Sequence, residues 1–167
     1  MTGHIDMREA WNRISQDYQQ TNKIPAAVVH YGPHCPNEDQ LCLIGEVRGK
    51  RVLRPAGLFV FSWDHPFWDC LKVEEMRLRR SYHDRTPQDW DWEYQGGSVC
   101  ARMRSYSRTV SDWFHLLRGA GLEVLDVLEP EPVESGSGQD DFGGDDFYAP
   151  ARQRMVPATI IWKARKP

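Results

Sequence analysis

Trp63, Asp64 and His65 end and follow the most continuous apolar run of the chain, GLFVFSW at 57–63. An imidazole titrates near neutrality, so His65 is a candidate general base. Its place supports this, because ligands of open α/β sheets sit beyond the carboxyl ends of strands. The competing reading is a turn with a packed indole and a solvent-facing imidazole. A second group of reactive types is His30, His34 and Cys35. No fourth ligand stands at a recognisable spacing, so a surface turn is expected there and no metal. Asp140, Asp141, Asp145 and Asp146 share a calcium loop's composition but not its D-x-D-x-D-G order. A solvated loop is expected.

The chain has seven tryptophans in 167 residues. Several lie between Trp63 and Trp113, among Phe and Tyr. Two readings stay open: packing of core and loops, or an aromatic wall around a small organic ligand. The four cysteines, Cys35, Cys42, Cys70 and Cys100, form no CxxC pair and no zinc pattern, and are read as reduced thiols. Net charge is −3 and no long basic run occurs. Nothing calls for nucleic acid or an anionic membrane. No signal-peptide core opens the sequence and no stretch nears the ~20 apolar residues of a membrane span, so the cytoplasm is expected.

The elements that must position these residues are legible in part. Met7, Trp11, Ile14 and Tyr18 make one apolar stripe of a helix over 6–20, with Asp6 as cap. VVHYGPHCP is extended and turns at Gly32 and Pro33. A helix is expected after Pro36, capped by Asn37, with Leu41, Leu43, Ile44 and Val47 packing. GLFVFSW reads as a strand buried on both faces, after a turn at RPAG. FWDCLKVEEMRL fits either helix or irregular chain, and SVCARMRSYS favours a strand. TVSDWFHLLRGAG is a helix. Thr109 or Ser111 caps it, Trp113, Phe114, Leu116 and Leu117 form its apolar face, and Gly119 or Gly121 stops it. In LEVLDVLEP, Leu122, Val124 and, after a shift, Val127 should point inward. Residues 134–147 read as a flexible loop, a short helix follows Pro150, and ATIIWKARK closes the chain as a strand.

This order resembles the C-terminal end of the class I S-adenosylmethionine-dependent methyltransferases, in the small-molecule, type 11-like branch. RPAGLFVFS is similar to that family's L-x-P-G-G turn and fifth strand. RTVSDWFHLLRGAGLEVLDVLEPEP is similar to the next helix and sixth strand, and MVPATIIWKARKP to the seventh, antiparallel strand. AWNRISQDYQQ resembles the family's first helix, and YGPHCPNEDQLCLIGEVRGKRVL the approach to its first strand. The resemblance implies methyl transfer to a small-molecule acceptor. It places Trp63 and His65 on the acceptor side, with His65 the catalytic candidate, and makes Tyr18 and Tyr31 cofactor-side residues. For Tyr18 the competing reading is that it only completes the helical stripe.

One departure dominates. After GKRVL the family continues with an acidic residue and a glycine-rich turn, E/D-x-G-x-G-x-G, which approaches the cofactor's methionine part. Here Leu53 is followed directly by Arg54 and Pro55, and no GxGxG occurs anywhere. The missing piece amounts to three βαβ-sized units, roughly 90 residues. The expected fold is therefore α/β, a truncated Rossmann-like methyltransferase fold in one domain. A helical N-terminal cap spans 1–48 and the C-terminal half of the fold spans 54–167. Its small mixed sheet has strands near 57–63, 122–129 and 157–164, with 98–106 as a candidate fourth. In the family the last strand inserts between the other two, which leaves an apolar edge open to self-association. Binding of S-adenosylmethionine is expected to be weak or absent. The alternative is a non-enzymatic remnant that works as an interaction module.

Overall fold

The computed structural model describes residues 8–10, 12, 14, 29, 31–32, 34–44, 55–94, 99–133 and 146–167. In chain order the strands are β1 (Leu58–Asp64), β2 (Leu71–Lys72), β3 (Arg77–Leu78), β4 (Gln88–Tyr94), β5 (Val99–Ser105), β6 (Glu123–Leu128) and β7 (Thr159–Arg165). The helices are α1 (Glu38–Leu41), α2 (Val110–Gly119) and α3 (Pro150–Gln153). Among the described residues three sheets form, ordered β1-β7-β6, β2-β3 and β4-β5.

The last strand lies in the middle of the largest sheet. β7 pairs antiparallel with β1 from Leu58↔Arg165 to Asp64↔Thr159, and antiparallel with β6. β1 and β6 thus run the same way without touching. This is the order expected for the final strand. Every pair in the sheet is antiparallel, however, so no parallel pair makes it mixed among the described residues. Ala56 N–H on the Lys166 carbonyl (2.7 Å) and Lys166 N–H on the Gly57 carbonyl (3.0 Å) extend the β1–β7 ladder into the RPAG turn.

Alternation along β7 builds two cores from one strand. Ile160 and Trp162 pack with Leu117 of α2, bordered by Phe61, Trp113 and Val124. Ile161 faces the other way, onto Tyr31, Cys35 and Leu43, bordered by Val60 and Leu128. Ile160, Ile161, Trp162 and Ala164 are all buried. Each large one contributes about 1.5–3 kcal/mol by leaving water. The chain comes close to β7 at Gly32, where a Cβ would stand 2.6 Å from Thr159 Oγ1.

α2 begins at Thr109, whose hydroxyl accepts from Asp112 N–H (3.1 Å) while Asp112 Oδ2 accepts from Thr109 N–H (2.8 Å). This reciprocal cap satisfies two of the orphan donors of the first turn. The helix ends at Gly119. Gly121, at φ 76°, turns the chain so that Leu122 N–H reaches the Leu117 carbonyl (3.0 Å). α3 carries Pro150 at its start, where a missing N–H costs nothing.

Several expectations are corrected. GLFVFSW is not buried on both faces: β1 is an edge strand, with Leu58, Phe59 and Trp63 exposed. The candidate fourth strand at 98–106 does form, as β5, but among the described residues it pairs only with β4. The helix after Pro36 stops after four residues, because Cys42 turns left-handed (φ 48°). Its Glu38 carboxylate accepts from Leu43 N–H (3.1 Å) and Ile44 N–H (2.7 Å) and so holds the chain leaving the helix. FWDCLKVEEMRL becomes two 3₁₀ turns, Trp68–Cys70 and Val73–Glu75, alternating with β2 and β3. Phe114, Leu116 and Val127 are exposed rather than inward. β6 carries the expected register shift between Val124 and Asp126, and Leu128 takes the inward place instead. At the end of the expected loop, Asp146–Tyr148 is a 3₁₀ turn with Phe147 edge-on to Trp68. Residues 134–145, Val47, the Leu53–Arg54 junction and most of the first helix lie outside the described residues. Of the described residues of that helix, Ala10 and Ile14 pack with Ala101 and Met103 of β5.

Candidate functional site

Beyond the carboxyl end of β1 opens a cleft of about 410 Å³. That size suits a small organic molecule. Its aromatic wall comes from four elements: Trp63 of β1, Trp90 of β4, Tyr106 after β5 and Trp113 of α2. Period-two alternation puts Phe59, Phe61 and Trp63 on one face of β1. Phe61 meets Trp113 at 5.3 Å between ring centroids, and Trp63 meets it at 6.5 Å. Trp63, Trp90 and Tyr106 are all largely exposed. These three aromatics around one concavity give it an apolar lining that no core packing covers.

The charged groups in the wall are mostly committed to one another. Asp69 is held by Arg80 and by Ser107 Oγ (2.8 Å), with Arg79 at 3.6 Å. Asp89 takes Arg104 through two bonds, 2.6 and 2.8 Å, and the Arg104 hydrogen bonds hold its carboxyl below the usual range. Asp64 accepts the Tyr148 hydroxyl at 3.0 Å. Part of Asp64 reaches the surface, yet the protein crowded around its carboxyl raises its pKa, with the Tyr148 bond acting the other way. Arg108 stands apart: among the described residues its guanidinium has no hydrogen bond and no salt bridge, and its field reaches Asp112.

His65 sits just past β1, buried, and outside the cleft wall. Phe67 N–H donates to its Nδ1 at 3.1 Å. Nδ1 is therefore an acceptor, and Nε2 carries the proton and donates to Glu129 Oε1 at 2.8 Å. His65 N–H also donates to the Ala158 carbonyl (2.7 Å). The imidazole thus joins the chain leaving β1 to the chain leaving β6. Taking a proton from an acceptor requires the ring to give up one of these bonds.

The other sequence candidates lie elsewhere. Tyr31 is buried under the sheet, its hydroxyl donating to Glu38, and burial holds its pKa well up. Tyr18 and His30 lie outside the described residues. His34 occupies a turn at φ 55°, and its carbonyl accepts from Val133 N–H (2.8 Å). Burial pushes the Cys35 thiol up to about 12, which leaves it protonated and unreactive. Among the described residues no cluster of His, Cys, Asp or Glu could hold a metal. Nor is any helix there long and apolar enough to cross a membrane.

Sequence reasoning left an aromatic wall open among the Trp, Phe and Tyr between Trp63 and Trp113, a range that holds Trp90 and Tyr106, but it named neither of these, and neither Arg108 nor Glu129, as a site residue. The signal for Trp90 was present. QDWDWEY alternates, and its Asp89 and Asp91 stand opposite Arg104 and Arg102 of β5. Glu129 gave no signal, since it lies 64 residues from His65.

No protein-family model matches the chain, and no curated protein does. Among solved structures, one described as an S-adenosylmethionine-dependent methyltransferase from Listeria monocytogenes is similar at 21% identity and TM-score 0.45. It covers 69% of this chain and 50% of its own. Another, from Mesorhizobium loti, is similar at 20% identity and TM-score 0.36, over 66% of this chain and 49% of its own. The chain spans about half the length of each.

Proposed function

We propose that this chain is the acceptor-side half of a class I methyltransferase fold, built for a small-molecule acceptor and deficient in holding S-adenosylmethionine. One observation carries the reading. β7 runs antiparallel between β1 and β6, the strand order that the sequence resemblance implies for the last three strands. The cleft beyond β1 supports it, because the acceptor belongs at that end of the sheet. Trp63 lines the acceptor's place. His65 and Glu129 fix the loop beneath it, and His65 serves as base only after releasing a hydrogen bond. The deficiency follows from the sequence, where Leu53 meets Arg54 and the glycine-rich turn is missing. In this reading Tyr18 and Tyr31 have no cofactor to close over. Calorimetric titration with S-adenosylmethionine tests the reading: no heat of binding is expected at micromolar concentration, and micromolar affinity overturns it.

The open edge of β1 favours a second reading, an interaction module that self-associates. Leu58 and Phe59 are exposed on a strand with no neighbour on its outer side among the described residues. Such an edge is a template for another strand. Size-exclusion chromatography with light scattering should report a dimer or larger species at high concentration. A clean monomer throughout counts against it.

A further inference from the structure

We propose that the cleft beyond β1 binds a planar aromatic compound carrying an anionic group such as a carboxylate, with the ring on the indole wall and the anion on Arg108. The shape argument is the wall itself. Trp63 and Trp113 stand 6.5 Å apart at 52°, and exposed Trp90 and Tyr106 extend the apolar surface around a space of about 410 Å³. Flat π-faces select flat ligands.

The charge argument comes from which groups are already spent. Asp69 and Asp89 are neutralised by Arg80 and Arg104, and Arg79 donates to the Asp69 carbonyl (3.1 Å). Asp64 stands in a crowded setting that disfavours its charge and accepts from Tyr148. Among the described residues only Arg108, of the charged side chains in the wall, has all its donors unused. An exposed guanidinium fork beside an aromatic surface is matched by a carboxylate, which it can hold through two parallel bonds. A cation would find Asp69 and Asp89 already paired and Asp64 in a setting that disfavours its charge.

The inference stands on the cleft alone and does not need methyl transfer. Its test contains no S-adenosylmethionine, so its failure and the failure of the methyltransferase reading are separate results. The full chain is titrated calorimetrically at 0.15 M salt with 1-naphthoate, 1-naphthalenemethanol and 1-naphthylmethylammonium. The expected order is carboxylate tightest, by roughly tenfold over the alcohol, with the ammonium weakest. Arg108→Gln, on the surface, should remove the preference and leave the alcohol's affinity unchanged. Trp63→Ala, also exposed, should weaken all three probes together. Equal affinity for carboxylate and alcohol, tightest binding of the ammonium, a preference surviving Arg108→Gln, or no binding of any probe at millimolar concentration would each overturn the proposal.

Discussion

β1 and β7 are the two strongest apolar strands of the chain, seven residues each and paired along their full lengths. They have opposite fates. Trp162 of β7 is 1% exposed, while Trp63 of β1 is 57% exposed. Composition does not separate them; position in the sheet does. β7 has a strand on each side and a packed layer on each face, with α2 over Trp162 and the Tyr31 segment over Ile161. Among the described residues β1 has one neighbour, and its far end opens into the cleft. The lesson is that an apolar strand left partly bare has surface to spend on a ligand or another chain.

Truncation should separate the two strands most sharply. Trp162→Ala should cost about 3–5 kcal/mol in urea unfolding, whereas Phe59→Ala, at the edge, should cost under about 1 kcal/mol. Equal losses would mean that β1 is as buried as β7. Next in size is Gly32→Ala, whose new Cβ would meet Thr159 of β7. A loss of about 1–3 kcal/mol is expected. Adding Thr159→Ala should recover only part of it, since that removes the Oγ1 in the way but leaves the backbone strain of a side chain at φ 158°. Thr109→Ala should cost about 1 kcal/mol by undoing the cap of α2, the helix that covers β7.

The smallest effect is one of pH. The Thr109 backbone hydrogen bond, with further help from the Thr109 hydroxyl and the charges of Arg85 and Arg108, holds the Asp112 carboxyl below its ordinary range. A carboxylate depressed by folding stabilises the protein above its unfolded pKa, about 3.9. It loses that contribution as pH falls toward the folded value. Asp112→Asn should therefore lower stability at pH 7 and flatten its decline below about pH 4, read from urea midpoints across pH. An unchanged acid limb would show that Asp112 does not carry it.

Much of the large sheet was legible in the sequence. The helix capped by Thr109, the strand after Gly121 and the closing strand all carry strong local signals, and the family resemblance implied where β7 would insert. What local signals cannot carry is the identity of a neighbour. GLFVFSW reads as fully buried because its run is continuous, yet burial depends on what lies beside it. Gln88–Tyr94 escaped notice although its Trp and Asp alternate, and the partners of its aspartates stand on the next strand. His65 was legible as a reactive type in a promising place. Its bonds to Phe67 and Glu129, which fix its tautomer, come from the fold.

The central claim is that β7 lies between β1 and β6 and leaves the outer edge of β1 open. Native-state hydrogen exchange, at a dilution where light scattering reports a monomer, tests it most directly. The amides of β7 from Thr159 to Arg165 should be among the slowest in the protein. Those of β1 should alternate, slow where they bond to β7 and fast where they point outward. Uniform protection along β1, or β7 amides exchanging as fast as the outward amides of β1, would contradict the account.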